Sequence, residues 1–307
     1  MTPALTLILL MAISQQDLPQ TLNVPPQQVS LRFYEGLDGP LFEEARKLYL
    51  EKQYQGAANR FLELYNTTRH SAALFLAGNS FYQQNEIDQS ISFYRQAISE
   101  GLEQMPDVHY NLGHAYYSKY LRDEAIAEFR KVLELTNDQD AMAHYHLGIL
   151  LDGKGAHNES IAHYRKTIEL TSDNEPLARQ HLGVAYFMNG DYTNSAQQFE
   201  IYLRMVPDDP GAYLNYGIAL RYLGKLSAAI EQLQIALNES NDNLPSAHYQ
   251  LGLIYALQEN YPLSLEHYKA AIKQGQTSPR LLEEFEAIKK KVGRQNILCE
   301  AAKSPFS

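Results

Sequence analysis

The side chains of this chain best suited to chemistry are amides and imidazoles, and some of them recur at near-constant steps. Asn111, His146, His181, Asn215 and Gln250 are separated by 35, 35, 34 and 35 residues. An amide is both donor and acceptor, and a neutral imidazole offers one of each. Such a row can satisfy the backbone N–H and C=O groups of an extended peptide without reading its side chains. The ten histidines also raise the question of a metal. A zinc site needs three or four converging ligands, yet no histidine pair stands at i, i+4, and His144 and His146, two apart, fall on different faces of a helix. The single cysteine, Cys299, can form neither an intramolecular disulfide nor a cysteine-based metal site. No nucleophile elbow, phosphate-cradling glycine loop or paired-carboxylate motif is present. No catalytic residue, metal ligand or cofactor is therefore expected. A histidine-based metal-binding or catalytic protein is the rival reading.

The elements that must position the row are clearest in residues 106–137, PDVHYNLGHAYYSKYLRDEAIAEFRKVLELTN. One amphipathic helix puts Leu112, Gly113 and Tyr116 on a face, and a second does the same with Ala125, Phe129 and Val132. A short polar turn around Lys119 and Tyr120 joins them. The rest of the chain varies this pattern. Its first-helix glycine recurs at Gly78, Gly113, Gly148, Gly183, Gly217 and Gly252, and its large second-helix residue at Phe61, Tyr94, Phe129, Tyr164, Phe199, Leu233 and Tyr268. Glycine inside a helix costs ~1 kcal/mol relative to alanine, so its return at a fixed step implies close approach by another helix. Ala125, Ser160, Ser195, Ala229 and Ser264 are small residues placed where the second helix is expected to cross the first. The large residues are expected to fill the gap to the next repeat. Pro106, Pro176, Pro210 and Pro245 open first helices, where a missing N–H is tolerated. One such hairpin cannot bury its own apolar face, so stability must come from stacking.

A helix–turn–helix unit of ~34 residues marks the tetratricopeptide class, and the chain resembles that family over roughly residues 38–276. The third repeat carries the resemblance with Leu112-Gly113, Tyr116, Ala125 and Phe129; the fifth with Leu182-Gly183, Tyr186, Phe199 and Pro207; the seventh with Leu251-Gly252, Tyr255, Tyr268 and Ala271. The chain has no Trp. At position four, where the family keeps a large aromatic, stand Leu74, His109, His144, Arg179, Tyr213 and His248, and packed, hydrogen-bonded rings are expected of the histidines there. The resemblance implies an all-α, right-handed superhelical solenoid of about seven helix-turn-helix repeats, whose first helices line a concave groove. In that frame position six would carry Asn111, His146, His181, Asn215 and Gln250 into the groove. Tyr110, Tyr145 and Tyr249 at position five, with Tyr82 and Tyr117 at position twelve, would supply anchors beside them. The carboxylate clamp of the family's chaperone-tail binders is not assembled, because Phe42 and Arg46, then Phe75 and Asn79, hold its positions.

The repeats consume almost all of the 307 residues and leave no room for a separate catalytic domain. A net charge of −10, without a block of like charge, makes nucleic acid an unexpected partner. Residues 1–14 hold the apolar run Ala4 to Ile13 and read as a candidate signal peptide cleaved near Ser14-Gln15. The run is too short to span a bilayer comfortably and carries no Lys or Arg; uncleaved, it would give loose membrane association. Residues 15–37 read as a Pro- and Gln-rich linker, 38–276 as seven repeats, 277–293 as a capping helix stopped by Gly293, and 294–307 as a tail. The resulting expectation is an exported, periplasmic or secreted scaffold or adaptor, not an enzyme. It would hold a protein or extended peptide in its groove, in cell-envelope assembly or maintenance. A self-assembling structural subunit is the alternative.

Overall fold

A computed structural model describes residues 37–303, with side chains as far as Gly293. The candidate signal peptide, the linker before Leu37 and the last four residues lie outside the described residues. Fifteen α-helices and no strand occur among those described. One compact unit runs to Asp173 and a second begins at Asn174. The first unit contains four helical hairpins: α1 (Pro40–Leu50) with α2 (Tyr54–Thr68), α3 (Ser71–Gln83) with α4 (Ile87–Ala97), α5 (Pro106–Ser118) with α6 (Arg122–Leu135), and α7 (Ala141–Asp152) with α8 (His157–Leu170). The second contains α9 (Pro176–Met188) with α10 (Tyr192–Met205), α11 (Pro210–Tyr222) with α12 (Leu226–Glu239), and α13 (Pro245–Leu257) with α14 (Tyr261–Lys273), closed by α15 (Pro279–Lys303).

Local chemistry starts and stops these helices. Proline takes the first helical position of α5, α9, α11 and α13, where no intrahelical bond is lost. Asp140, Asp191 and Asp209 cap α7, α10 and α11 by accepting from the N–H of Ala143, Asn194 and Ala212 at 2.7, 3.0 and 3.0 Å. The turn inside each hairpin needs one left-handed residue, supplied for example by Asn85 at φ 64° and Gly190 at φ 83°.

The recurring glycine meets the recurring large residue within a hairpin. A Cβ added to Gly113 would lie 3.2 Å from the Phe129 ring, one on Gly148 2.5 Å from Tyr164, and one on Gly217 2.8 Å from Leu233. The large residues thus pack over the glycine of their own repeat, sixteen residues earlier, rather than only filling the gap to the next. At the crossing, fully buried Ser264 donates from Oγ to the Gly252 carbonyl at 2.8 Å. Successive hairpins then share a core, as where Ala125, Phe129 and Leu133 cluster with Ala143, Leu147 and Leu150. In α15, Leu281 and Ile288 are buried with Tyr268 and Ala271, as expected of a capping helix. Gly293, however, does not stop it. The helix continues to Lys303 because Gly293 does not take a left-handed φ and the residues after it are mostly helix formers.

Candidate functional site

Within each unit the first helices of successive hairpins lie side by side, α3 with α5 in one, and α9 with α11 and α11 with α13 in the other. Position six falls in the seam between them. Asn111 is half-buried and donates from Nδ2 to Oδ1 of Asn79, on the preceding first helix, at 2.8 Å. His146 stacks on Phe129, with centroids 5.2 Å apart and an interplanar angle of 20°, and meets His114 edge-on at 4.3 Å. In the second unit Arg221 donates from Nε to Oε1 of Gln250 at 3.0 Å. Exposure is only 4% at His146, 9% at His181, and 2% at both Asn215 and Gln250. The expectation of an open ladder is corrected accordingly: four of its five members are buried, His146 against His114 and Gln250 against Arg221 of the preceding first helix. Asn111 alone keeps a side toward solvent.

The tyrosines at position five are corrected in the same way. Tyr110, Tyr145 and Tyr249 are buried. Each points into its own hairpin, with ring centroids 5.6 Å from Phe129, 6.2 Å from Tyr164 and 6.0 Å from Tyr268, the large residue nineteen positions on. They are core residues, not surface anchors. Burial, with Glu284 second, pushes the Tyr249 phenol up to about 12. Tyr117 and Tyr82 at position twelve are half-buried and keep a polar tip near the surface; the Tyr82 and Ser118 hydroxyls are 3.1 Å apart.

One stretch of this face presents polar atoms that the fold leaves unused. In the first unit Tyr49, Asn79, Tyr82, Gln83, Asn111 and His114 line a recess of about 10 Å³, room for about one water. Asn79 Oδ1 accepts from the Tyr94 hydroxyl and from Asn111 Nδ2, each at 2.8 Å. Its Nδ2, although buried, has no partner among the described residues, and neither has Nε2 of His114. Burial, then the neighbouring His146, holds the His114 pKa well below its ordinary value, so that ring is neutral. Burial also pushes the Tyr49 phenol up to about 12, which keeps it neutral. Asn79 was visible in the sequence only as one half of an absent carboxylate clamp. Its place as the acceptor of the Asn111 amide, 32 residues on, depends on how two hairpins stack.

The histidines at position four are packed and hydrogen-bonded. Each reaches the residue nineteen on, in the second helix of its hairpin. His109 Nδ1 lies 2.6 Å from Glu128 Oε2, His144 Nδ1 2.8 Å from His163 Nδ1, and His248 Nδ1 3.0 Å from His267 Nδ1. Arg179 makes the same link to Gln198 Oε1 at 2.7 Å. The opposite nitrogens face the loop six residues back. His144 Nε2 is 3.3 Å from the Asp138 carbonyl and His248 Nε2 is 3.0 Å from the Asp242 carboxylate. The Asp138 carbonyl requires an Nε2–H on His144, so its Nδ1 accepts while His163 donates. The ring centroids are 5.1 and 5.3 Å apart, which sets the two Nδ1 atoms between the rings and aimed at each other. That is the geometry of an N–H···N bond, with the second lone pair already used by a proton.

Solved structures share this fold at low identity. A tetratricopeptide repeat protein from Parabacteroides merdae is 17% identical, with 84% of this chain and 99% of that one aligned at a TM-score of 0.55. The C-terminal part of a repeat-containing protein from Cytophaga hutchinsonii is 15% identical over 78% of this chain and 97% of that one, at 0.65. YrrB, described as a repeat protein with an unusual peptide-binding site, is 22% identical over 64% of this chain and 97% of its own, at 0.55. No curated protein matches the chain by sequence. Two sequence models described as tetratricopeptide repeat match, one at residues 72–100 and the other at 110–175, 169–210, 181–245 and 214–279. Stacked hairpins of this kind are scaffolds for protein–protein interaction, and with more than half its length matched the chain belongs to the tetratricopeptide repeat family.

Proposed function

We propose that this scaffold holds an extended segment of a partner protein against its first helices, with the Asn79 recess as a point where the partner's backbone is read. The observation that carries the reading is the buried Asn79 amide, whose Oδ1 is saturated by Tyr94 and Asn111 while Nδ2 still needs an acceptor. A buried donor without a partner costs about 1–3 kcal/mol, so a carbonyl brought to it recovers that amount without reference to side-chain identity. Tyr82, Gln83 and Asn111, which are half-buried and line the recess, would flank such a carbonyl with further hydroxyl and amide groups. The peptide-binding site named for YrrB agrees in kind with this reading, at the level of fold.

Panning a displayed library of random twelve-residue peptides on the full chain is the test. Recovered peptides are expected to lose about tenfold or more in affinity on Tyr82→Ala with Gln83→Ala, measured well below the variant's own thermal midpoint because both side chains are half-buried. Binders protected only on second helices, or unaffected by the pair, would remove the recess from consideration. We further propose that the chain acts outside the cytoplasm, in cell-envelope assembly or maintenance, on the strength of the apolar run Ala4 to Ile13. Sequencing the mature N-terminus checks this: a start at Gln15 is expected, and an intact Met1 in the cytosol contradicts it.

A further inference from the structure

The second unit contains a cleft of about 320 Å³, of whose lining the repeat pattern singled out only Tyr268. Pro279 follows Pro245 by 34 residues, so α15 enters in the repeat frame as another first helix. It lays Ala287 and Ile288 opposite Leu253, Ala256 and Leu257, and these side chains make an apolar floor. Leu257 is 64% exposed, a large aliphatic side chain open to solvent.

The charges around that floor are unbalanced. Arg280 is paired with Glu284, Nε to Oε1 at 2.9 Å. Arg221 and Lys291 have no carboxylate partner among the described residues. Arg221 spends Nε on Gln250 and lies 4.5 Å over the Tyr222 ring; Lys291 Nζ lies 4.8 Å over Tyr261. In a chain with 36 acidic and 26 basic residues, two uncompensated cations flanking one apolar cleft are not the average surface. Both are held over aromatic faces, which limits their wandering and keeps the charge near the cleft. The volume falls in the range of sites that enclose a few side chains.

We propose that this cleft docks an extended protein segment in which a carboxylate side chain stands next to aliphatic ones, the aliphatics on Leu253, Leu257 and Ile288 and the carboxylate between Arg221 and Lys291. The inference rests on the groove reading only in taking first-helix faces as the binding surface. It concerns a stretch of groove in the other unit.

The test uses fluorescence anisotropy on the full chain with three labelled eight-residue peptides of alternating residues, Leu/Glu, Leu/Gln and Leu/Lys. The Leu/Glu peptide is expected to bind about tenfold more tightly than Leu/Lys, with Leu/Gln between them, and to weaken several-fold in 0.5 M salt. Lys291→Glu and Leu257→Asp, both at exposed positions where folding is expected to persist, should each weaken Leu/Glu binding about tenfold. Arg221→Gln, which keeps a donor for Gln250, should act in the same direction. Equal affinity for the three peptides overturns the proposal, as does Leu/Glu binding indifferent to both Lys291→Glu and Leu257→Asp. Dodecanoate displacing the peptide at lower concentration than unlabelled peptide would assign the cleft to a lipid instead and equally overturn it. Loss of the Leu/Glu preference alongside intact dependence on Tyr82 and Gln83 removes this cleft and leaves the groove reading standing.

Discussion

Gly183 and Gly252 hold the same place in their hairpins, yet a methyl group would find different room at each. A Cβ on Gly183 would stand 3.1 Å from the Phe199 ring, whereas one on Gly252 would stand 2.4 Å from Tyr268. Alanine brings back ~1 kcal/mol of helix propensity at either position. At Gly183 the ring need yield only a few tenths of an ångström, so Gly183→Ala should stay within about 1 kcal/mol of the parent. At Gly252 the overlap demands a shift of Tyr268, which is itself packed against Tyr249, and a net loss of about 1–3 kcal/mol is expected. Urea unfolding of both variants checks the order, and equal losses would show that Tyr268 moves aside freely. The glycine and aromatic rows were legible in the sequence because one fixed step along the chain becomes one fixed contact within a hairpin. The outlook of position six was not. Asn111 and Asn215 are the same residue at the same repeat position, but one is half-buried and the other 2% exposed. The difference is made by how the adjoining first helix lies, which no single repeat encodes.

The hairpin turn repeats as strictly as the helices do, and its residue types follow the backbone less closely. Asn85, Tyr120, Gly155, Gly190, Gly224 and Glu259 all take a left-handed φ, between 59° and 83°. Asparagine and glycine enter that region readily, while tyrosine and glutamate pay a steric penalty on the order of 1 kcal/mol from Cβ. Glu259 is exposed, and its backbone N–H donates to the Ala256 carbonyl at 3.1 Å, a bond that does not need the side chain. Glu259→Gly should therefore raise stability by about 0.5–1 kcal/mol, the relief of strain exceeding the extra freedom of the unfolded glycine. A rise in denaturation midpoint of a few degrees is the expected reading; a fall would mean that the turn is unstrained. The sequence located this turn in the third repeat around Lys119 and Tyr120, but nothing about Glu259 itself announced the conformation. It is imposed by α13 and α14 on either side. Gly293 shows the converse case. A glycine with helix formers after it stays helical, so composition beyond the glycine decides where α15 ends.

Across the whole molecule, buried imidazoles make stability depend on acidity in a direction that can be worked out. His114 and His181 are held below the ordinary histidine pKa by burial, His181 at about 4, with His146 adding to the effect on His114. His163 is lowered to about 4 by burial first and by His144 second, Arg130 acting the same way and Asp138 and Glu159 opposing. His267 is lowered by burial and then His248, against Glu266 and Asp242. Each of these rings has a folded pKa below its unfolded value of roughly 6.5, so below that pH the unfolded chain takes up protons that the folded chain refuses. Their stabilising effect is complete above about pH 6.5 and is lost as the pH falls toward 4. Asp107 and Asp152 act oppositely, since burial raises them, but there are two of them against four histidines. The expected result is a stability that declines by about 1–3 kcal/mol per pH unit around pH 5.5, measured as the urea midpoint between pH 7.5 and 4.5. His163→Gln can still donate to His144 Nδ1 and does not titrate, so its decline should be shallower than the parent's. A midpoint that stays level from pH 7 to 5, or a variant that falls as steeply as the parent, would mean that the His144–His163 pair accepts a second proton without opening. That would set positive charge on a pair 2.8 Å apart, offset chiefly by the exposed Asp138 carboxylate 3.2 Å from His144 Nε2.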